Sequence, residues 1–293
     1  MTRYDITLRI AYEYDQPVVS ARHALRMSPR HIPDRQRVIA SHIELDPRPD
    51  ARDTRLDFFG NSVLSAAYAS PHRQLEVSLH ARVQRLLPVP VLNMTPDPAG
   101  LARELRNCRV LGPDSPLHYL SDSPRVKADP RFERLAREVT GPAMSVVDVI
   151  EAIGLALKAR MTFDPEATDA ETSPLEALEN GRGVCQDYSH IMIACLRAIG
   201  IPAGYVSGFL RTVPPPGMPR LEGSDAMHAW VRGWAGTETG WYEYDPTNGT
   251  AVGLDHIVVA YGRDYADVAP VKGVSRHAGE QQGSHSVDVV PAE

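Results

Sequence analysis

Cysteine is scarce in this chain of 293 residues, and its distribution counts against two kinds of protein. The three cysteines, Cys108, Cys185 and Cys195, are too few and too scattered for a disulfide framework. None belongs to a C-x-x-C pair, and the histidines of the N-terminal third lack the spacing of metal ligands. We therefore expect neither a metal nor another cofactor.

Long apolar runs and an excess of basic residues are also missing. No stretch approaches the length of a membrane span, and the start of the chain lacks the basic and apolar segments of a secretory signal. The formal net charge of -6 counts against a nucleic-acid partner. These absences predict a cytoplasmic protein with no membrane and no nucleic acid among its partners, and they leave the oligomeric state open.

What is present fits a globular chain with two domains. Hydrophobic residues make up 43% and charged residues 23% of a length that suffices for two cores. From Tyr4 to Leu86 the chain alternates apolar and polar residues between turn signals, without a helix-length periodic stretch. This pattern predicts an N-terminal antiparallel β-sandwich that folds independently of the remainder.

The rest of the chain divides at changes in composition, and Pro88 to Pro98 is the best candidate linker. Helix signals and strand signals alternate after this linker, which makes the fold class α+β. The predicted units are a β-rich domain (1–87), a linker with accessory helices (88–144), a catalytic core (145–272) and a C-terminal strand with a tail (273–293).

A glycine-rich stretch followed by an apolar helix gives Cys185 a distinctive setting. Gly181 and Gly183 precede the cysteine, and the apolar run after it ends at Gly200. The unpaired N–H groups and the positive dipole end of the first helical turn favour a thiolate there. A small core cysteine at a helix start is the alternative that this stretch alone leaves open.

A predicted hairpin supplies partners for this cysteine. One alternating segment ends with Trp234 and the next begins with Trp241, on either side of a turn bounded by glycines. If these tryptophans oppose each other, His228 and Asp245 lie on the same face of the hairpin, close enough for their side chains to meet. Cys185, His228 and Asp245 then provide a nucleophile, a base and an orienting acid.

Two rivals to this triad are weaker. His190 follows Cys185 by five positions, which is about 140° around the helix axis, so its side chain should face elsewhere. Cys195 lies inside the apolar run and is predicted to belong to the core. A zinc site of Cys185, His190 and His228 is disfavoured by the spacing.

The motifs Gly-Val-Cys-Gln-Asp at 183–187, His-Ala-Trp at 228–230 and Asp-Pro-Thr-Asn at 245–248 resemble those of the bacterial transglutaminase-like proteins, a family related to cysteine proteases. The resemblance extends to residues 1–85, which look like the N-terminal region of such proteins, and to residues 256–265. It implies a papain-like core with the central helix packed on an antiparallel sheet. It also implies that Cys185 is the nucleophile, His228 the base and Asp245 the orienting residue.

The chain differs from animal transglutaminases in the residues available to bind the oxyanion. Animal transglutaminases use a tryptophan upstream of the nucleophile, whereas all three tryptophans here follow Cys185. The backbone N–H of Cys185 is the first candidate donor and the Gln186 side chain a weaker one. Asp187 is predicted to support the helix dipole or a loop, and Trp230 is a further candidate for support of the site.

These observations predict an enzyme that forms a thioester from an amide and passes the acyl group to water or to an amine. The expected substrate is a protein or peptide, and hydrolysis as a peptidase or amidase is favoured. A transglutaminase with an amine acceptor is one alternative. A non-catalytic binding or scaffold protein with a papain-like core is the other, because fold resemblance alone does not establish activity.

Overall fold

The computed structural model describes residues 1–86, 93–212, 223, 225–276 and 278–292. The described residues of the N-terminal region form strands and no helix, as the alternation predicts. These strands are β1 (Thr2–Val18), β2 (Ser20–Leu25), β3 (Gln36–Asp46), β4 (Ala51–Leu56), β5 (Ser62–Tyr68) and β6 (His72–Arg85). Residues 88–92 of the predicted linker from Pro88 to Pro98 lie outside the described residues, and Pro98 begins the first helix.

The helices begin where the sequence offers caps. Asp97, Asp129, Ser145 and Ser173 each accept a hydrogen bond from a backbone N–H of the first turn that follows. The helices are α1 (Pro98–Asn107), α2 (Pro130–Val139), α3 (Val146–Arg160), α4 (Pro174–Asn180), α5 (Cys185–Ala198) and α6 (Tyr265–Val268), with a short 3₁₀ helix at Pro116–Tyr119.

A five-stranded antiparallel sheet carries the predicted hairpin. The strands of the core are β7 (Thr162–Phe163), β8 (Arg182–Gly183), β9 (Ala203–Leu210), β10 (Ala226–Trp234), β11 (Trp241–Asp245), β12 (Thr250–Ala251) and β13 (His256–Gly262). The five-stranded sheet has the order β12-β11-β10-β9-β13, and β7 and β8 form a two-stranded parallel ribbon in which β8 directly precedes α5.

The two faces of this sheet have different neighbours. Gly233 of β10 lies against Ile150 of α3 and Leu196 of α5, so the helices cover this face. Every residue of α5 from Asp187 to Leu196 is buried, which makes it the central helix that the apolar run predicts. The opposite face carries a small apolar cluster around Trp230 that packs against Ile32 of the N-terminal region.

Side-chain amides of the N-terminal region cover the outer edge of β13. Gln36 donates to the Val258 carbonyl oxygen at 2.7 Å and accepts from the Val258 N–H at 2.8 Å. Asn61 makes the same reciprocal pair with Tyr261, at 2.8 and 2.9 Å. These amides satisfy backbone groups that an edge strand otherwise exposes, and they fix β13 against the N-terminal region.

The end of the chain returns to the sandwich. Strand β14 (Val271–Arg276) pairs with β2, and β15 (Gln281–Ala292) pairs with β1. The two sheets of the sandwich are therefore β15-β1-β6-β3 and β14-β2-β5-β4. The domain limits and the independent folding of residues 1–86 stay predictions, and a fragment of those residues would leave β1 and β2 without one neighbour each.

No helix in the described part of the chain is long and apolar enough to cross a membrane.

We predict that the sandwich depends on β15 for part of its stability. Val289 is fully buried and pairs with Ile6, whereas its neighbour Val290 is 41% exposed. Val289→Ala should lower the free energy of unfolding by about 2 kcal/mol, because two buried methyl groups are lost. Val290→Ala is the matched control and should change it by less than about 0.5 kcal/mol. Equal effects in urea unfolding would contradict the contribution of β15 to the core.

Candidate active site

Cys185 is the first residue of α5 and is partly exposed. The carboxylate of Asp187 accepts a hydrogen bond from the Val184 N–H at 2.8 Å, which caps the helix start. A side chain at Gly183 would place its Cβ only 2.5 Å from the Asp187 carboxylate, so glycine is required for this approach. Within the described residues, the backbone N–H groups of Cys185 and Gln186 donate to no protein acceptor.

The predicted hairpin register is confirmed. Trp234 pairs with Trp241, and His228 Nε2 lies 2.8 Å from Asp245 Oδ2. His228 is 8% exposed and Asp245 is fully buried. Because His228 uses Nε2 for the carboxylate, Nδ1 is the nitrogen that remains for Cys185.

The electrostatic setting favours a charged His228. Burial by itself lowers the pKa of His228, but hydrogen bonding to Asp245 and interaction with Cys185 outweigh burial and raise this pKa to about 10. Burial acts in the opposite direction on Asp245, yet its hydrogen bonds to His228 and His256 hold the pKa of this carboxyl well below its ordinary value. The pair is therefore an imidazolium and a carboxylate at neutral pH.

Asp245 has more partners than the sequence indicates. Its Oδ2 accepts from the Asn248 side chain at 2.7 Å and from His256 Nε2 at 3.1 Å, in addition to His228. Its Oδ1 accepts from the backbone N–H groups of Thr247 and Asn248. Asn248 belongs to the Asp-Pro-Thr-Asn motif, and His256 is the first residue of β13, but neither residue has a role predicted from the sequence.

Trp230 lies under the two histidines and supports them. Its ring centroid is 5.2 Å from that of His256 and 6.1 Å from that of His228. Its indole N–H donates to Glu243 Oε2 at 2.8 Å, so this donor is not free for an oxyanion. This geometry gives Trp230 a supporting position beside both histidines.

The other predicted residues near Cys185 hold the chain in place. Asp187 is buried and accepts from the Thr168 hydroxyl at 2.6 Å as well as from Val184. Burial raises the pKa of Asp187 above its ordinary value. The Gln186 side chain donates to the Ala170 carbonyl oxygen at 3.4 Å, which directs it toward the segment before α4.

His190 faces away from the thiol, as its position on the helix predicts. Its Nε2 accepts from the backbone N–H of Tyr265 at 3.1 Å. Burial lowers the pKa of His190 to about 4, so this imidazole is neutral at pH 7. Its ring nitrogen is thereby occupied, which argues against a zinc site with Cys185 and His228.

A different trio has metal-like spacing. The ligand atoms of His228, Asp245 and His256 lie within 4.8 Å of one another. Hydrogen bonding explains this spacing, because both imidazoles reach Asp245 Oδ2 through Nε2. The Gly253 N–H points at His256 Nδ1, so the proton of a neutral His256 must lie on Nε2, where a metal would bind. These three side chains are therefore better suited to hydrogen bonding with one another than to binding a metal ion.

Glu243 joins the sheet to the N-terminal region below the site. It is 4% exposed and contacts Arg35 at 3.0 Å, the Tyr261 hydroxyl at 3.1 Å and the Trp230 indole. Burial raises its pKa, but the Arg35 charge and the other partners outweigh burial and hold the pKa below its ordinary value. Glu243 therefore stays ionised and anchors the tryptophan that supports both histidines.

The other two tryptophans, Trp234 and Trp241, lie away from His228. Trp234 is six residues from His228 along β10, a distance of about 20 Å in an extended strand. Together with Trp241 and Arg232 it borders a separate cavity of about 810 Å³. The loop from Thr212 to Asp225, between β9 and β10, lies almost entirely outside the described residues.

The fold and this arrangement define a papain-like α+β protein with a cysteine, a histidine and an aspartate at one site. Residues 133–246 match the transglutaminase-like superfamily core, and residues 4–84 match the bacterial transglutaminase-like N-terminal region. The chain belongs to the bacterial transglutaminase-like family. The family prediction and the predicted fold class are thus confirmed.

Two relatives and one solved structure are similar to nearly the whole chain. An uncharacterised protein of Mycobacterium tuberculosis is 36% identical, with 99% of this chain and 93% of that protein covered. One of Mycobacterium leprae is 33% identical, with 99% and 98% covered. The solved structure of a candidate cysteine protease from Cytophaga hutchinsonii has a TM-score of 0.77 at 19% identity, with 100% of this chain and 91% of that chain covered. This last similarity shows the fold alone.

We predict that Glu243→Gln destabilises the protein by about 3 kcal/mol at neutral pH, because Arg35 and its neighbours lose a buried counter-charge. The folded-state pKa of Glu243 is lowered, so its contribution is present above the ordinary glutamate pKa of about 4.3 and is lost as pH falls through the folded value. The gap between wild type and variant should therefore close in acid.

Thermal and urea unfolding from neutral pH to about pH 3 measure this gap. Glu238→Gln changes an exposed glutamate of the β10–β11 turn and serves as the control. A gap of the same size at every pH would contradict an ionised Glu243.

Proposed function

We propose that this protein is a thiol-dependent acyl-transfer enzyme that acts on amide or peptide bonds of protein or peptide substrates in the cytoplasm. Cys185 is the nucleophile, His228 the general base and acid, and Asp245 the orienting residue. The observation that carries the proposal is the buried His228–Asp245 pair, whose raised histidine pKa reflects both the carboxylate and Cys185.

The first half-reaction uses the ion pair directly. The Cys185 thiolate attacks the substrate carbonyl carbon, and the carbonyl electrons move onto oxygen. The tetrahedral intermediate collapses as the carbon–nitrogen bond breaks, and His228 gives its proton to the departing amine. The products are a thioester on Cys185, a free amine and a neutral His228, which Asp245 keeps in the correct tautomer.

The oxyanion has donors in the first turn of α5. The backbone N–H groups of Cys185 and Gln186 have no protein acceptor among the described residues, and they lie at the positive end of the helix dipole. An oxygen that becomes negative beside Cys185 can accept from these groups. The backbone donors are better candidates than the Gln186 side chain, which donates to Ala170.

Hydrolysis completes the cycle in the favoured form of the proposal. Neutral His228 takes a proton from water, the hydroxide attacks the thioester carbonyl, and the carbon–sulfur bond breaks to give a free acid and the Cys185 thiolate. The sequence provides no acidic cluster or second motif for an amine, whereas water is always present at high concentration. These points favour a peptidase or amidase.

One comparison favours transamidation instead. A protein-glutamine gamma-glutamyltransferase of Pseudomonas aeruginosa is 37% identical over 87 residues, which is 29% of this chain and 13% of that protein. The alternative acceptor is therefore a primary amine, with the same thioester and the same three residues. A non-catalytic scaffold is disfavoured, because a histidine pKa raised by a buried carboxylate and a cysteine is more typical of a catalytic site than of a structural contact.

We predict that iodoacetamide labels Cys185 ahead of Cys108 and Cys195. Cys195 is fully buried, and burial raises its pKa to about 12. His228→Ala should slow labelling of Cys185 at least about tenfold near neutral pH, because the thiolate loses its imidazolium partner.

Peptide mapping by mass spectrometry measures the site and rate of labelling. Met227→Leu, a conservative change next to His228, is the control for local packing. An unchanged rate and pH profile in His228→Ala would remove the support for the triad.

We predict more hydrolysis than transamidation when a glutamine-containing peptide and a labelled primary amine compete for the thioester. Chromatography of the free acid and the amine conjugate measures the ratio. Conjugate as the main product at millimolar amine would favour the transglutaminase alternative. Loss of both products in Cys185→Ala is expected in either case, since both reactions share the thioester.

A further inference from the structure

A second histidine shares the carboxylate of the proposed triad. His228 Nε2 and His256 Nε2 both contact Asp245 Oδ2, at 2.8 and 3.1 Å. His256 is 5% exposed and lies on β13, whereas Asp245 lies on β11 and His228 on β10. Two strands, β9 and β10, separate β13 from β11, so the contact spans the sheet.

The sheet leaves space beside Gly208 for the side chains that lie between β11 and β13. Gly208 of β9 lies opposite His228 on one side and Val258 on the other. A Cβ at Gly208 would be 2.4 Å from the Trp230 ring and 2.2 Å from the Ile257 carbonyl oxygen, so no side chain fits there. The Trp230 ring uses this space and packs edge-on against His256, at 5.2 Å between ring centroids.

The hydrogen bonds of His256 fix its protonation. The Gly253 backbone N–H donates to Nδ1 at 3.3 Å, so Nδ1 must present a lone pair. The single ring proton then lies on Nε2 and points at Asp245. A second proton on Nδ1 would face the Gly253 N–H, which opposes an imidazolium at this position. His256 is thus a neutral donor, whereas His228 is the partner that carries charge.

We propose that His256 is a positioning residue, which donates from Nε2 to Asp245 and holds that carboxylate in the orientation that supports the His228 imidazolium. The inference rests on the proposed function, because it assigns a partner to the same triad. Asn248 and two backbone N–H groups hold the carboxylate from the side of its own loop. His256 is the donor that reaches it from the far edge of the sheet.

The surroundings of the carboxylate contain few other titratable groups in the described residues. Cys185 interacts with it through His228, and Tyr244 is its neighbour in β11. Glu243 faces Trp230 on the same side of the sheet and stays ionised beside Arg35. A change in the pH dependence of Cys185 on substitution of His256 therefore reports on the Asp245–His228 pair.

Two substitutions test the two hydrogen bonds of the His256 ring separately. Asparagine places its amide oxygen near the former Nδ1 and can keep the Gly253 bond, but it is too short to reach Asp245. Glutamine extends its amide nitrogen to the former Nε2 and can keep the Asp245 bond. The full-length variants His256→Asn and His256→Gln are labelled with iodoacetamide across the pH range, and His72→Asn, in the sandwich, is the control for loss of a buried histidine.

His256→Asn should slow Cys185 labelling about tenfold at neutral pH and move the loss of the imidazolium to lower pH, because Asp245 is held less firmly. His256→Gln should restore the rate to within about twofold of wild type. A wild-type rate and pH profile in His256→Asn, or identical behaviour of the two variants, would overturn the proposal.

A measurement on the unsubstituted protein keeps the proposal testable if His256→Asn fails to fold. Long-range ¹H–¹⁵N NMR spectra should show His256 as the neutral Nε2–H tautomer at neutral pH and His228 as an imidazolium. A charged His256 or an Nδ1–H tautomer would overturn the assignment. His228→Ala distinguishes failure of the positioning role from failure of the proposed triad. If His228→Ala slows labelling and His256→Asn does not, only the positioning role of His256 is wrong. If His228→Ala has no effect, the triad itself is wrong.

Discussion

The carboxylate of Asp245 is the constraint on which the site depends. A buried carboxylate is costly to desolvate, and it remains ionised only where donors replace the lost water. Asp245 has five such contacts, from two imidazoles, one side-chain amide and two backbone N–H groups. Each donor also fixes an element, because the contacts join β10, β13 and the turn after β11. The carboxylate that stabilises the His228 imidazolium thus also holds β10, β13 and the turn after β11 in their relative positions.

The N-terminal region supports the site from below. Gln36 and Asn61 replace a neighbouring strand along β13, and His256 is the first residue of that strand. Arg35 supplies the counter-charge for Glu243, which in turn orients Trp230 under both histidines. A change in these contacts would therefore affect the proposed catalytic residues through β13 or through Trp230. The sandwich therefore acts as a structural base for the core sheet, besides any role in substrate selection.

Local sequence signals predict much of the fold and of the candidate site. Capping residues such as Ser145 mark helix starts, and the glycine-bounded turn sets the register that brings His228 to Asp245. The missed features depend on contacts distant in sequence. Nothing near His256 indicates a partner across two strands, and nothing in residues 281–292 indicates that they pair with β1. The same holds for the indole of Trp230, whose partner becomes evident only when β10 and β11 are aligned.

Two buried histidines show that contact with Asp245, rather than burial, decides which of them holds a proton. His190 and His228 are both almost fully buried, and burial lowers the pKa of each. For His190 burial dominates and the pKa falls to about 4, so this ring accepts a backbone hydrogen bond as a neutral group. For His228 the carboxylate and the cysteine outweigh burial, and the ring holds a proton at neutral pH. A leaving amine needs that proton, so the histidine on the hairpin is suited to acid and base catalysis, while the one nearer to Cys185 in sequence is suited only to packing.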